Sequence, residues 1–396
     1  MPSNPMFNRA GVSRRHFLGW AGAAGFGLSF GLHSCTNTSN SAREAAPAPA
    51  TNTGTQDFAG QTLRVFIYSG AWEKAFRESF VPQFQTKTGA TVIPDPGWWD
   101  SIPKLKASPP GQPAFDLVLT DATQGYPAIK EGLFQTIDMS RIPNKENLSP
   151  SVLNNWVYTD GYGITFPESV MTLAYNKELI DFTPTGWSDL LRDDVNGNLG
   201  LYNSFYMSLY TFAAMKVEQD GKPGTAAAEM DNNLAGVIAF AKENRDRVKY
   251  WWPTSTDMAL NLSQKNCAIG NMHSPDMLIA MRQSPELAAI VPDADRAFVQ
   301  LMWVIPTGTQ QKELAEEAIN FLMGEEMQMA FAQTGSMTSS LAVAQKVSTQ
   351  DPLWKQVYPS TEDQLQQIGY YPYDAYFKDW DNIVATWDKE ILRQAA

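Results

Sequence analysis

The chain has 396 residues, with 42 acidic against 30 basic side chains, a formal charge of −12 at neutral pH, two cysteines and three histidines. That acidity disfavours nucleic acid and anionic membrane surfaces as partners. Two cysteines build no disulfide framework, and so few histidines build no histidine-rich metal centre.

The N-terminus reads as an export signal. Ser13-Arg14-Arg15-His16-Phe17-Leu18-Gly19 leads into a charge-free apolar stretch, Phe17 to Leu32, which ends at Leu32-His33-Ser34-Cys35. At about 16 residues the stretch is shorter than the roughly 20 that span a bilayer. The paired arginines followed by Phe17 and Leu18 resemble the twin-arginine signal, with Gly19 where Lys is usual. Leu32 three residues before Cys35 resembles a lipobox, with His33 atypical there. The resemblance implies a signal peptide over 1–34 and a lipid on Cys35; an ordinary cleavage site beside an incidental cysteine is the alternative. Thr36 to Gln56 contains no aliphatic residue larger than Ala, so 35–57 reads as an unstructured tether. Loss of 1–34, which carry three arginines and no acid, takes the formal charge from −12 to −15. With Cys35 lipidated, Cys267 has no partner for an intramolecular disulfide; in Asn266-Cys267-Ala268-Ile269-Gly270 it reads as a small buried hydrophobe.

The body follows an α/β alternation. Leu63 to Tyr68 is a strand, Ser69-Gly70 a turn, and Trp72, Phe76, Phe80 and Phe84 recur every fourth residue up to Gly89, which predicts an amphipathic helix with a glycine stop. Thr91 to Ile93 begins a second strand. Phe115 to Leu119 is a third, whose continuous apolar run suits a parallel strand covered on both faces. Asp121 and Thr123 cap a short helix from Tyr126 to Glu131, and Gly132 ends it. Tyr162 to Phe166 and Met171 to Asn176 read as two strands separated by Pro167-Glu168-Ser169. A helix begins at Pro184 to Leu191, Leu199 to Tyr202 returns as a strand, Val299 to Ile305 is another, and Leu314, Ala318 and Leu322 mark a helix stripe. Trp380 and Trp387, seven apart, fall on one helical face and read as packing. About 340 residues beyond the tether exceed what one core usually serves, so two lobes are expected.

Four ordered segments resemble the extracellular solute-binding proteins of family 1, with the periplasmic-binding-protein-like type II fold. They are Val81-Pro82-Gln83-Phe84 with Thr88 to Val92; Phe115 to Asp121 with Gly132-Leu133-Phe134; Leu173 to Lys177 with Trp187 to Leu190; and Trp303-Val304-Ile305-Pro306 followed by Ala315 to Met323. Within that family the sequence is most similar to the spermidine/putrescine-binding branch of ABC importers. The resemblance implies two α/β lobes joined by crossing strands, with a ligand cleft between them. Lobe 1 is then 58–160 with a return at 292–345, lobe 2 is 161–291, and 346–396 forms C-terminal helices on lobe 2. It also implies a periplasmic receptor, tethered to the cytoplasmic membrane through Cys35 alone, that captures a polar or cationic, polyamine-like solute and passes it to an ABC permease. Such a receptor is a monomer and uses no cofactor or metal.

Ligands of open α/β sheets collect at strand C-termini and helix N-termini. That rule selects Ser69, Trp72, Asp121 and Thr123 from the first lobe. From the second it selects Glu168 at the crossing, Tyr202, Asn203, Ser204 and Phe205, Trp252 and Asp257, and His273 with Asp276. Aromatic rings beside carboxylates suit amines and also sugars. Capping is the alternative for Ser69, Asp121 and Thr123, and packing for Trp72, Trp98-Trp99 and Trp251-Trp252. The acidic residues that the polyamine branch carries at the positions of Tyr202 to Phe205 and of Met272-His273-Ser274 are not kept, which favours a different polar or singly charged solute. Ferric-ion and sugar receptors of the same fold and a ligand sensor remain as alternatives. A carboxylate hydrolase is the enzymatic one, although no nucleophile motif or metal-ligating HExxH stands in the chain, and Asp193-Asp194 and Glu316-Glu317 read as solvated.

Overall fold

The computed structural model describes residues 58–393. The signal, Cys35 and the tether lie outside the described residues. Strands β1 (Thr62–Tyr68), β2 (Thr91–Gly97), β3 (Leu117–Asp121), β4 (Phe134–Gln135), β5 (Gly163–Asn176), β6 (Leu199–Tyr202), β7 (Val248–Trp252), β8 (Ile269–His273), β9 (Leu287–Ile290) and β10 (Phe298–Pro306) join in the order β2-β1-β3-β10-β5-β8-β6-β7. β4 pairs with β10, and β9 with β5.

β5 divides this sheet into two halves. Its first part runs antiparallel to β10, from Gly163 opposite Val304 to Val170 opposite Phe298. Its second part pairs with β8, from Met171 opposite His273, and with β9. β1, β2 and β3 are mutually parallel, as are β6, β7 and β8. The chain therefore crosses from one half to the other within β5 and returns between β9 and β10. Both β5 and β10 are buried along almost their whole length, as expected of central strands covered on both faces.

Several expectations need correcting. The two strands predicted around Pro167-Glu168-Ser169 are one, because Pro167 faces Gln300 where the β5–β10 ladder shifts register, and a residue lacking its N–H is tolerated at such an irregularity. The helix bearing Trp72 to Phe84 runs through Ala71–Ala75 and Val81–Thr88 with a wide turn at Phe76–Phe80 between them. That turn stacks Phe76 on Phe80 at 4.4 Å and leads to Phe80 on Phe84 at 4.8 Å. It ends at Gly89 with φ of 72°, where glycine meets no left-handed penalty.

The helix predicted from Pro184 is only a 3-10 turn, Trp187–Leu191. The Asp189 carboxylate takes the Thr185 and Gly186 N–H groups, and Glu218 takes that of Ser188, so the turn's donors are satisfied without helical carbonyls. Glu316 is not solvated: at 1% exposure it accepts from the Asp138 N–H at 2.9 Å and pairs with Arg141 at 3.0 Å. Asp193 and Asp194 are exposed as expected.

Candidate functional site

Tyr68, Asp121, Tyr202, Trp252 and His273 are the last residues of β1, β3, β6, β7 and β8. Glu168 lies midway along β5, where its pairing passes from β10 to β8.

In the first half, the Tyr68 hydroxyl donates to Asp121 Oδ2 at 2.9 Å, and the Asp121 N–H donates to the Tyr68 oxygen at 2.9 Å. The other Asp121 oxygen caps the helix Ala122–Lys130 by accepting from the Thr123 N–H at 2.7 Å, the Gln124 N–H at 3.3 Å and the Thr123 hydroxyl. Burial, then the Asp121 charge, pushes the Tyr68 phenol well up, so it remains a donor. Ser69 donates its N–H to Gly97 O at 3.1 Å. Trp98 is 54% and Trp99 55% exposed, which corrects the half-buried packing expected of that pair, and Trp98 stacks on Tyr68 at 5.2 Å.

Trp72 is buried against Phe166 at 5.8 Å and Phe331 at 4.8 Å, and its indole N–H donates to Glu168 Oε1 at 3.1 Å. Packing and site proximity therefore coincide in this residue. Burial raises the Glu168 pKa and the charge of Asp276 adds to it, while the Ser169 hydroxyl and then the Trp72 N–H oppose both.

In the second half Tyr202 lies on Trp252 at 4.2 Å and 16°, and His273 meets both rings edge-on at 5.3 and 5.9 Å. Trp252 is fully buried with its N–H on Asn271 O, so it backs the Tyr202 ring. Burial lowers the His273 pKa against the pull of Asp276, leaving a neutral imidazole at pH 7. Asn203 donates to Trp252 O at 3.0 Å, and its own carbonyl accepts from Trp387 at 2.9 Å. Ser204 begins the helix Phe205–Gln219 without a side-chain cap, and Phe205 meets Trp380 edge-on at 4.6 Å. Asp257 accepts from the Thr254 hydroxyl at 2.6 Å at the start of the helix Ser255–Ser263, a capping arrangement. Asp276 is exposed in the first turn of Ser274–Gln283.

Three of the selected carboxylates act on the same surroundings. Burial, then Asp121 and Asp276, raises the Tyr202 phenol; burial chiefly raises that of Tyr358, with Glu168 and Asp276 adding to it. Among the described residues no Lys or Arg lies within 4 Å of Asp121, Glu168 or Asp276. Arg282, which also acts on Tyr358, is tied to Asp351. Nor is any group of three or more His, Cys, Asp or Glu among the described residues placed to hold a metal ion. The result is a stacked aromatic pair flanked by negative charge with no internal counter-ion, a setting that favours a cation through ring faces and charge-assisted hydrogen bonds.

Sequence reasoning missed Tyr68 and Asn271. Tyr68 was visible only as the end of an apolar strand. Asn271 was the legible signal, an amide inside a buried strand. Its Oδ1 accepts from the Tyr202 N–H at 2.8 Å, its Nδ2 donates to Ser208 and Thr211 at 3.2 and 3.0 Å, and its carbonyl holds Trp252.

The family described as bacterial extracellular solute-binding protein matches residues 79–357. The spermidine/putrescine-binding periplasmic protein of Salmonella typhimurium is 26% identical over 308 residues, covering 75% of this chain and 84% of that protein. The gamma-aminobutyric acid-binding protein of Pseudomonas aeruginosa is 23% identical over 282 residues, 69% of this chain and 75% of that one. A crystal structure of the spermidine/putrescine ABC transporter substrate-binding protein PotD from Streptococcus pneumoniae aligns with a TM-score of 0.67 at 18% identity, covering 83% of this chain and 99% of that one. The likeness shows the fold, two lobes of mixed α/β structure.

Proposed function

Because the chain belongs to the bacterial extracellular solute-binding proteins, we propose that it captures a small organic amine between its lobes and hands it to an ABC permease. One observation carries the amine: Asp121 and Asp276 act on the Tyr202 ring of the Tyr202–Trp252 stack, Glu168 is near enough to feel Asp276, no cationic side chain among the described residues pairs with any of the three, and the imidazole there is held neutral. The named ligands of the relatives, spermidine, putrescine and gamma-aminobutyric acid, all carry an amine. The departures at Tyr202 to Phe205 and Met272 to Ser274 favour a ligand with less charge than a polyamine. β5 and the return between β9 and β10 form the hinge, so that a solute touching both halves biases closure.

The protein acts as a receptor rather than a catalyst. Cys267 is buried with its thiol pushed up to about 12, far from a reactive thiolate. We further propose that the twin-arginine signal exports the folded chain, that Cys35 carries the lipid, and that the receptor works as a periplasmic monomer. Thermal unfolding with putrescine, spermidine, gamma-aminobutyric acid and ferric citrate tests the reading. A ligand of the folded state at about 100 times its dissociation constant adds about 2.7 kcal/mol. Stabilisation by an amine is expected, and stabilisation by ferric citrate with none by any amine would overturn it.

A further inference from the structure

A second pocket lies on the other face of the crossing strands. Successive side chains of a strand point to opposite faces. In β10, Leu301 lies opposite Phe166 and Trp303 stacks with Phe76, so this face carries Phe166, Trp72 and, through the indole, Glu168. Gln300 and Met302 take the other face, where Met302 packs so closely on Gly125 that a Cβ there would sit 2.6 Å from its sulfur. Beside Gln300 opens a pocket of ≈ 490 Å³ whose walls include Tyr126, Trp156, Asp231, Tyr370 and Asp374.

Two polar atoms in this lining are buried without a partner, Gln300 Nε2 and the Tyr370 hydroxyl oxygen. Gln300 is fully buried; its Oε1 accepts from the Tyr126 hydroxyl at 2.6 Å, which leaves the amide N–H groups facing no acceptor. Folded proteins keep few such groups, and their presence in a pocket wall marks where a ligand's polar atoms belong. Trp156, half-buried and edge-on to Tyr126 at 4.8 Å, supplies a ring surface. Asp231 is paired with Lys378, and Asp374 is exposed.

We propose that this pocket binds a neutral polyhydroxylated solute, a sugar or cyclic polyol. An amine brings donors only and leaves the Gln300 N–H groups unmet, and an anion meets two carboxylates in the wall. A hydroxyl accepts from Gln300 Nε2, donates to Asp374, and serves Tyr370 whichever way that proton turns. The C–H face of a sugar ring packs on Trp156. Gln300 lies on the face of β10 opposite that of Leu301 and Phe166, so the pocket and Glu168 can be varied separately.

Calorimetric titration of the protein with glucose and with myo-inositol tests this. Saturable binding of at least one probe is expected, retained in Glu168→Gln and weakened at least about tenfold in Trp156→Ala, equivalent to about 1.4 kcal/mol. Gln300→Leu removes the unpaired amide and is expected to abolish the binding; it also takes the acceptor from the Tyr126 hydroxyl, so its unfolding temperature is expected to fall and its loss of binding is read beside that of Trp156→Ala, which leaves this hydrogen bond in place. The proposal is overturned if neither probe binds, if binding survives unchanged in both pocket variants, or if Glu168→Gln abolishes it. Amine binding is read on the same variants and is expected to follow the opposite pattern, lost in Glu168→Gln and kept in Trp156→Ala, so the two readings fail separately.

Discussion

Asp121 and Glu168 are both carboxylates at the junction of the two halves, yet their surroundings differ. Asp121 accepts from Tyr68, Thr123 and Gln124 and closes the end of β3 onto its helix. Glu168 has the Trp72 N–H and burial, which raises its pKa. A carboxylate already saturated by its own chain gives up little to a ligand. One that is desolvated with room for further donors gains most when a cation arrives. The first therefore holds the site's shape and the second supplies binding.

Replacement separates the two roles. Asp121→Ala removes a helix cap and leaves the buried Tyr68 hydroxyl unpaired, so denaturant unfolding is expected to show a loss of about 2–4 kcal/mol. Glu168→Gln is expected to leave folding stability equal or higher while weakening the amine by about 2 kcal/mol or more, read by calorimetry. A stability loss in Glu168→Gln as large as in Asp121→Ala would erase the distinction.

Titration sharpens it. The Glu168 pKa is raised in the folded state, so ionising that group costs folding stability as pH rises toward and through the raised value, and the unfolded chain holds no such penalty. A cation needs the ionised form. Amine affinity is accordingly expected to fall as pH drops through the raised Glu168 pKa, and the decline should flatten in Glu168→Gln. An unchanged pH profile in that variant would place the titrating group elsewhere.

The smallest effect is expected at Trp98, an exposed ring stacked on Tyr68. Trp98→Ala should change unfolding free energy by less than about 0.5 kcal/mol and amine affinity by about 0.5–1 kcal/mol if the ring meets the cation. No change in affinity would assign the ring to the surface alone.

Much of this architecture was legible in the residues. The apolar runs at Leu63 to Tyr68 and Val299 to Ile305, the glycine stops at Gly89 and Gly132, and the cap at Asp121 all act locally, through side-chain alternation, backbone freedom and one short-range hydrogen bond. The continuity of β5 across Pro167 was not legible, because it depends on the register of a partner strand more than a hundred residues away. Glu316 likewise reads as a surface acid until Asp138 and Arg141 fold against it.

The sequence by itself determined the α/β alternation, the family pattern and the strand ends from which a site is drawn, since each rests on periodicity or on contacts a few residues apart. Only the tertiary structure decided which of those residues meet. It placed Trp252 beneath Tyr202, gave Asp121 to a cap, and left Glu168 without a counter-ion. Those outcomes follow from burial and from partners supplied by distant segments, and no spacing along the chain encodes them.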